Sequence, residues 1–272
     1  MCGRPCSSTR HESGASEAEV SVKIVSDLHG AAGALRDEVD PDDTLLLLGD
    51  LVNVIDYTTR DGILVDIFGV DAVNEVIGLR AQRRFEDARS VMALRRKGRE
   101  AEIGEKFELL FRRAYREVYD ALPQRTCLIL GNADNPEAAR QELTDKVEMV
   151  DGQVVEIGGL RVGFVGGGLP TPLHIRGEIP EEEFNAKLQG LGEVDIICSH
   201  VPPDLPELTY DVLAKRHERG SSGLVEYIRD VQPQRALFGH IHQPLCSSMH
   251  LGRTHLLNTG YFRRSKRAVS LW

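Results

Sequence analysis

Long apolar runs, aromatic residues, paired cysteines and surplus positive charge are all scarce in this sequence, and each shortage excludes something. No uninterrupted apolar run approaches the roughly 18 residues of a bilayer-spanning helix. The charge-free stretch from Val162 to Leu173 is broken by glycines and prolines, so no membrane association is expected. Residues 1–19 stay polar and lack the apolar centre of a secretory leader, and are read as a disordered tail. Among the five cysteines, Cys2 and Cys6 stand close together, but no second pair follows at zinc-binding spacing. Cys127 and Cys198 sit in apolar runs and read as small core residues, while Cys246 has no obvious partner; a reducing cytoplasm is the expected compartment. Aromatic residues make up 6% of the chain and Trp272 is the single tryptophan, too few for a base-stacking platform. Lys and Arg number 33 against 42 Asp and Glu, a net charge of −9, which argues against a surface coated for DNA or anionic lipid.

What is present suffices for a large core: 272 residues, 41% of them hydrophobic, with 28% charged residues for solubility. Short β-rich runs end repeatedly in small polar clusters. The run at 20–25 leads into Ser26-Asp27-Leu28-His29-Gly30, and that at 44–48 into Gly49-Asp50. The run at 126–130 leads into Gly131-Asn132-Ala133-Asp134, that at 194–198 into Ser199-His200, and that at 235–238 into Gly239-His240-Ile241-His242. Short, often β-branched apolar runs bounded by Gly or Asp read as buried strands. Further strands are expected at 154–157, 161–165, 254–258 and 268–271. Residues 61–122 are different, with Phe107, Leu110, Phe111, Ala114 and Val118 at helical spacing and Pro123 closing the element. Within them, segment 80–116 carries a local surplus of +6. It reads either as a solvated helical face or as a lid or docking surface for anions or a partner.

Five clusters of Asp, Asn and His at strand ends point to one site, because ligands of open α/β sheets bind beyond the carboxyl ends of the strands. Asp27 and His29 are two positions apart, as are His240 and His242. In extended backbone that spacing puts both members of a pair on one face. Asp50, Asn132 and His200 would join them from neighbouring strands. Seven ligand-type residues exceed what one ion needs, so two divalent ions are expected. An oxygen and imidazole set without thiolate suits Mn, Fe, Zn or Ni better than Mg or Ca.

In this order, Asp27-Leu28-His29, Gly49-Asp50, Gly131-Asn132, Ser199-His200 and Gly239-His240-Ile241-His242 resemble the motifs of the calcineurin-like metallophosphoesterase superfamily. The resemblance implies an α/β fold, a four-layer α/β/β/α sandwich spanning 20–272, with a helical insertion at about 61–122. It implies that Asp27, His29 and His242 hold a first metal, that Asn132, His200 and His240 hold a second, and that Asp50 bridges them. Asp50, Asn132 and His200 become the expected catalytic ligands, and the implied nucleophile is a water or hydroxide shared by the two ions.

Two positions depart from the family pattern. Ala133 stands where a histidine is usual, and Asn53 stands where a second aspartate is usual. In catalytic relatives such as the Ser/Thr phosphatases, that His and that Asp form a dyad which protonates or steadies the leaving oxygen. A positioned general acid contributes about 10²–10⁴-fold, so the expectation is a slower hydrolase, or one whose substrates have good leaving groups. His174 is the candidate replacement donor and His217 the runner-up. Asp134 is expected to cap the helix ahead of Pro136 or to steady a metal ligand. Val54-Ile55 replaces the Arg-Gly of the protein phosphatases, which favours phosphodiesters or small organophosphates as substrates. Asp50 and Asn132 are 82 residues apart, so the insertion leaves near the metal centre. There it could select substrates or mediate a homo-oligomer, and the Phe107, Phe111, Tyr115 and Tyr119 face could pack on the core or on a second chain. Two other classes of function compete: a scaffold that keeps the fold without turnover, and a nuclease gripping a backbone with its arginine-rich segment 80–99. The acidic average disfavours extended nucleic acid.

Overall fold

In the run Thr44–Leu48, Leu45 and Leu47 bury into one apolar cluster, whereas Leu46 and Leu48 bury into another. Side chains alternate across a strand, so a run apolar at every position needs a packed layer on each face. The computed structural model describes residues 21–272 and bears this out; the expected tail at 1–19, with Cys2, Cys6 and His11, lies outside the described residues.

The chain runs β1 (Val22–Val25), α1 (Ala32–Glu38), β2 (Thr44–Leu48), then α2 (Ile63–Phe68), α3 (Val70–Ala81), α4 (Phe85–Arg96) and α5 (Glu100–Asp120). It continues with β3 (Arg125–Ile129), α6 (Pro136–Gln141), β4 (Val147–Met149), β5 (Val154–Ile157), β6 (Leu160–Val165), α7 (Glu181–Leu191) and β7 (Ile196–Ser199). The last part holds α8 (Pro206–Thr209), a short ribbon of β8 (Tyr210–Asp211) and β9 (Arg216–His217), and α9 (Ser222–Val231). It ends with β10 (Arg235–Phe238), β11 (Ser248–Leu251), β12 (Thr254–Asn258), α10 (Phe262–Ser265) and β13 (Val269–Ser270).

Two sheets result. The first is ordered β13-β1-β2-β3-β4, parallel except for β13; the second is β11-β12-β10-β7-β6-β5, antiparallel only at its two edges. Ile24, Leu46, Leu48 and Ile129 of the first sheet meet Val162, Phe164, Cys198 and Leu237 of the second in one inner core. The opposite face of the first sheet packs under α5 and α6. The opposite face of the second packs under α7 and α9, through Phe184, Leu188, Leu224 and Ile228. The order is α/β/β/α, as the sequence led us to expect. The strands the sequence did not announce are β4, β8, β9 and β11. They are two to four residues long, and all but one of their side chains are partly or largely exposed, so they carry no strong apolar pattern.

The helical stretch between Asp50 and Asn132 divides into two parts with different roles. The stripe on α5 turns inward: Phe111, Tyr115, Val118 and Tyr119 are buried in the same cluster as Leu45, Leu47 and Leu128. Rings from Phe107 to Tyr119 follow one another at centroid spacings of 6.3, 6.4 and 5.9 Å. That face therefore packs on the core of its own chain. The buried residues of α3 and α4, by contrast, join none of the three core clusters. Many cations of the segment pair with carboxylates three or four residues further on, such as Arg84 with Asp87, Arg99 with Glu102 and Arg113 with Glu117. Arg112 and Arg116 instead reach Glu142, beyond β3.

Excising 70–97 behind a short Gly/Ser linker is expected to leave a folded protein, because only α3 and α4 are lost. Excising 62–120 also removes Phe111, Tyr115 and Tyr119. At about 3–5 kcal/mol for each large buried side chain, that loss matches or exceeds the roughly 5–15 kcal/mol stability of a typical domain. Circular dichroism and soluble yield of the two deletions check this, the second being expected to give no soluble protein.

Candidate metal centre

The parallel strands of both sheets deliver their polar clusters to one edge. Asp27 and His29 follow β1, Asp50 follows β2 and Asn132 follows β3; His200 follows β7, and His240 and His242 follow β10. The two sheets are stitched together there. The His200 ring nitrogen Nδ1 lies 2.9 Å from the carbonyl of Leu48, and the His240 backbone N–H donates to Asp27 Oδ2 at 2.9 Å. Ser26 Oγ donates to the same carboxylate oxygen at 2.6 Å.

Extended backbone is not what aims these side chains. Asp27, His29, Asp50 and His240 have φ of +54°, +41°, +54° and +68°. Left-handed backbone at non-glycine residues is uncommon and concentrates where function over-determines the chain. The i, i+2 spacing of the sequence thus brings Asp27 and His29 within 3.9 Å through a tight turn, not through the pleat, whereas His242 turns toward His29 and His240 toward His200. Neighbouring glycines make room. A Cβ on Gly131 would sit 2.2 Å from Asp50 Oδ1, and one on Gly239 would sit 1.7 Å from Ser26 Oγ.

The result is a set of acceptors facing one another. Donor atoms of Asp27, His29, Asp50 and His242 all lie within 4.8 Å of each other. His29 Nε2 and His242 Nε2 are 3.2 Å apart; His242 Nε2 is 3.2 Å from Asp27 Oδ1, and His29 Nε2 is 3.6 Å from Asp50 Oδ2. On the other side of Asp50, His200 Nε2 stands 3.5 Å from Oδ1 and 2.9 Å from Asn132 Oδ1, and the His240 ring lies 5.1 Å from that of His200. A carbonyl only accepts, so the contact with Leu48 places the His200 proton on Nδ1 and leaves the Nε2 lone pair aimed at Asp50 and Asn132. Asp27 Oδ1 is buried with no hydrogen-bond donor. Lone pairs converging in a buried space fit a bound cation, and this set of carboxylates, imidazoles and an amide matches the donors of transition-metal sites. Asp27, His29, Asp50 and His200 are buried, while Asn132, His240 and His242 are partly exposed and form the open side.

Proton affinities follow from burial and neighbours. Burial pushes the His29 imidazole down, and burial with the nearby His200 pushes His240 down to about 4. Both rings are then neutral at pH 7. Burial alone would raise Asp27, but His242, together with the nearby His200 and His29 rings, outweighs this and holds it below the usual carboxylate range. Burial likewise opposes the His242 cation, and Asp27 overcomes it, so His242 is raised.

A second ring of groups fixes the first. The Asp134 carboxylate accepts the backbone N–H groups of Asp50 (2.9 Å), Leu51 (3.0 Å) and Gly131 (2.8 Å), and the Tyr115 hydroxyl at 3.1 Å. Burial and the Asp50 charge push its pKa up to about 7, against the pull of those donors. Asp134 does not cap α6 but holds the backbone of the turn that carries Asp50. The cap of α6 is Asn135, whose side chain accepts from Glu137 and Ala138. Ala133 contributes its backbone N–H to Asp50 Oδ1 at 2.8 Å. Asn53 donates from Nδ2 to Asp61 Oδ1 at 3.0 Å, so an aspartate there would set two carboxylates in contact.

Sequence reasoning missed Tyr261 and Arg263. The Tyr261 ring stacks on His242 at 3.9 Å with planes 7° apart, and its hydroxyl donates to Asp56. Arg263 donates to the His29 carbonyl at 2.7 Å and to Asp56 and Asp61. The signal was available, since both residues lie just past strand β12, where other parallel strands carry their site residues. His174 is exposed and lines a cavity bounded by α3 and α4; among the described contacts none joins its side chain to the seven candidate ligands. His217 lies on the β8–β9 ribbon, 3.2 Å from Thr209 Oγ1.

No helix of the described residues is long and apolar enough to cross a membrane. No curated protein matches the chain. One crystal structure is 16% identical and superposes with a TM-score of 0.55, covering 89% of this chain and 91% of its own. The crystal structure of TT1561 of Thermus thermophilus is 13% identical with a TM-score of 0.50, covering 93% of this chain and 98% of its own. At those identities the likeness concerns the fold alone. The family model for calcineurin-like phosphoesterases matches residues 20–244, which include all seven candidate ligands and the strands that present them. On that match, the chain belongs to the calcineurin-like phosphoesterase family.

Proposed function

We propose that the chain is a binuclear metal-dependent phosphoesterase acting on phosphodiesters or small organophosphates. The observation that carries this reading is the position of Asp50, whose Oδ2 faces His29 and whose Oδ1 faces His200. Asp27, His29 and His242 would hold one ion, and Asn132, His200 and His240 the other, with Asp50 common to both. Mn, Fe, Zn or Ni suits these donors. When bound, two divalent cations supply positive charge against the phosphoryl oxygens and make water a better nucleophile at neutral pH.

The protein's own part is to hold the donors in place. Asp134 fixes the turn that carries Asp50, and Arg263 and Tyr261 brace His29 and His242 from the far side. Proton donation to the leaving group is the missing element. Ala133 has no side chain for it, and the Asn53 amide is committed to Asp61. Substrates with acidic leaving groups need no such donor, which favours aryl or otherwise activated esters over simple alkyl ones. Asn53 with Ala133 also sustains the scaffold alternative, which the first assay decides.

Metal analysis of the purified chain is expected to give two divalent ions per molecule, with hydrolysis of aryl phosphodiesters. Asp50→Ala should lose both the second ion and turnover. Two ions with no hydrolysis of mono- or diesters would favour the scaffold, and full activity in Asp50→Ala would exclude the mechanism. Asp134→Asn puts an amide against three backbone N–H groups, and metal affinity should fall roughly 10–100-fold by titration, as for other supports of metal ligands. Ala133→His should raise turnover on poor leaving groups by up to about 10²-fold and leave good ones unchanged, if the missing acid limits the rate.

A further inference from the structure

A cavity of about 590 Å³ lies between α2, α3 and α4 on one side and Pro172–His174 on the other. That volume is within the roughly 300–1,000 Å³ usual for small-molecule sites. Its floor is apolar, built from Leu64, Val73, Val76, Phe85, Met92 and Leu173. Its rim is cationic, with Arg80, Arg89 and Arg96 set against the single carboxylate of Glu100.

The arginines differ in how far they are engaged. Arg89 is tied to Glu86 and donates to the Pro172 carbonyl at 2.7 Å, pinning α4 to the loop across the cavity. Arg80 gives one N–H to the Tyr57 hydroxyl, and Arg96 lies over the rings of Phe107 and Phe68 at 5.5 and 6.0 Å. Among the described residues neither Arg80 nor Arg96 has a carboxylate partner, unlike most arginines of this segment. A cationic ligand would meet three guanidinium groups here. A small inorganic anion would gain nothing from the floor. The lining therefore favours a molecule with an apolar body and negative charge.

Both walls are hydrogen-bonded to the centre's own segments. The N–H groups of Ile63 and Leu64 donate to the carbonyls of Asn53 and Val54, just beyond Asp50. Opposite, Pro172–His174 belong to the loop after β6, whose Gly177 N–H donates to the Asn132 carbonyl at 3.1 Å. We propose that this cavity seats the apolar organic group of an amphipathic anionic ester whose phosphate lies at the strand ends, so that α3 and α4 select bulky apolar substrates. The proposal rests on the phosphoesterase reading for the phosphate end alone. It also gives His174 a place, on the lining of the cavity that holds the organic group.

Isothermal titration of the full-length, metal-loaded chain with methyl-, hexyl- and decylphosphonate, which cannot be hydrolysed as esters, tests it. Affinity should rise with chain length, roughly fourfold for each methylene that becomes buried. Ala93→Trp, at an exposed position lining the cavity, should abolish that gain while leaving methylphosphonate binding and Tm unchanged. Arg96→Glu should weaken the anions and leave the chain-length gain intact. Equal affinity across the series overturns the proposal, as does an unchanged gain in Ala93→Trp, or decyltrimethylammonium binding as tightly as decylphosphonate. Chelating the metal should weaken all three phosphonates by a common factor. If the chain-length gain persists but chelation changes nothing, the coupling to the metal centre is overturned while the apolar site stands.

Discussion

The Asp50 carboxylate is held between two groups of buried acceptors, one oxygen facing His29 and the other facing His200. A buried polar group without a partner costs about 1–3 kcal/mol, and Asp27 Oδ1 is such an atom within this set of donors. Positive charge placed among these donors relieves that cost. Much of the surrounding fold serves to keep the donors there. Asp134 gathers three backbone N–H groups under the turn, Tyr115 reaches it from α5, and Asn135 draws its own N–H to the same Tyr115 hydroxyl. The helix that closes the outer face of the first sheet is thereby linked to the chemistry at its edge.

Two sheets are needed because neither alone presents a full donor set. The first supplies carboxylates, one imidazole and an amide; the second supplies three imidazoles. Their inner faces pack Ile24, Leu46 and Ile129 against Phe164, Cys198 and Leu237, and that core sets the distance between the two groups. Left-handed backbone at Asp27, His29, Asp50 and His240 then turns the side chains into the gap. Such strain persists only where packing and hydrogen bonds over-determine it. The contacts from His200 to Leu48 and from His240 to Asp27, which cross between the sheets, are of that kind.

The departures from the family pattern are consistent with one another. Asn53 is neutral where Asp61 lies within hydrogen-bond distance, and Asp61 in turn is held by Arg263, which also grips the backbone of His29. Burial works against the Asp61 charge, but the bonds from Thr59, Asn53 and Arg263 prevail and keep its pKa low. The carboxylate near the site is thus used to brace a candidate ligand. Ala133 likewise acts through its backbone, donating to Asp50.

Residue order determined the layers. Runs such as Leu45 to Leu48, apolar at every position, can only be buried on both faces, and their polar endings fix which edge holds the site. The seven candidate ligands were legible for the same reason, since each closes a strand. Tyr261, Arg263 and the role of Asp134 were not, because stacking on His242 or gathering three N–H groups depends on which loops meet, and no local pattern records that. The division of the helical segment was hidden as well. The stripe on α5 is equally apolar whether it meets a core or another chain, and only the packed structure shows it turned toward Leu45, Leu47 and Leu128. Spacing announced that Asp27 and His29 belong together; tertiary contacts decided that they meet through left-handed turns, because the ends of two sheets have to close on one small space.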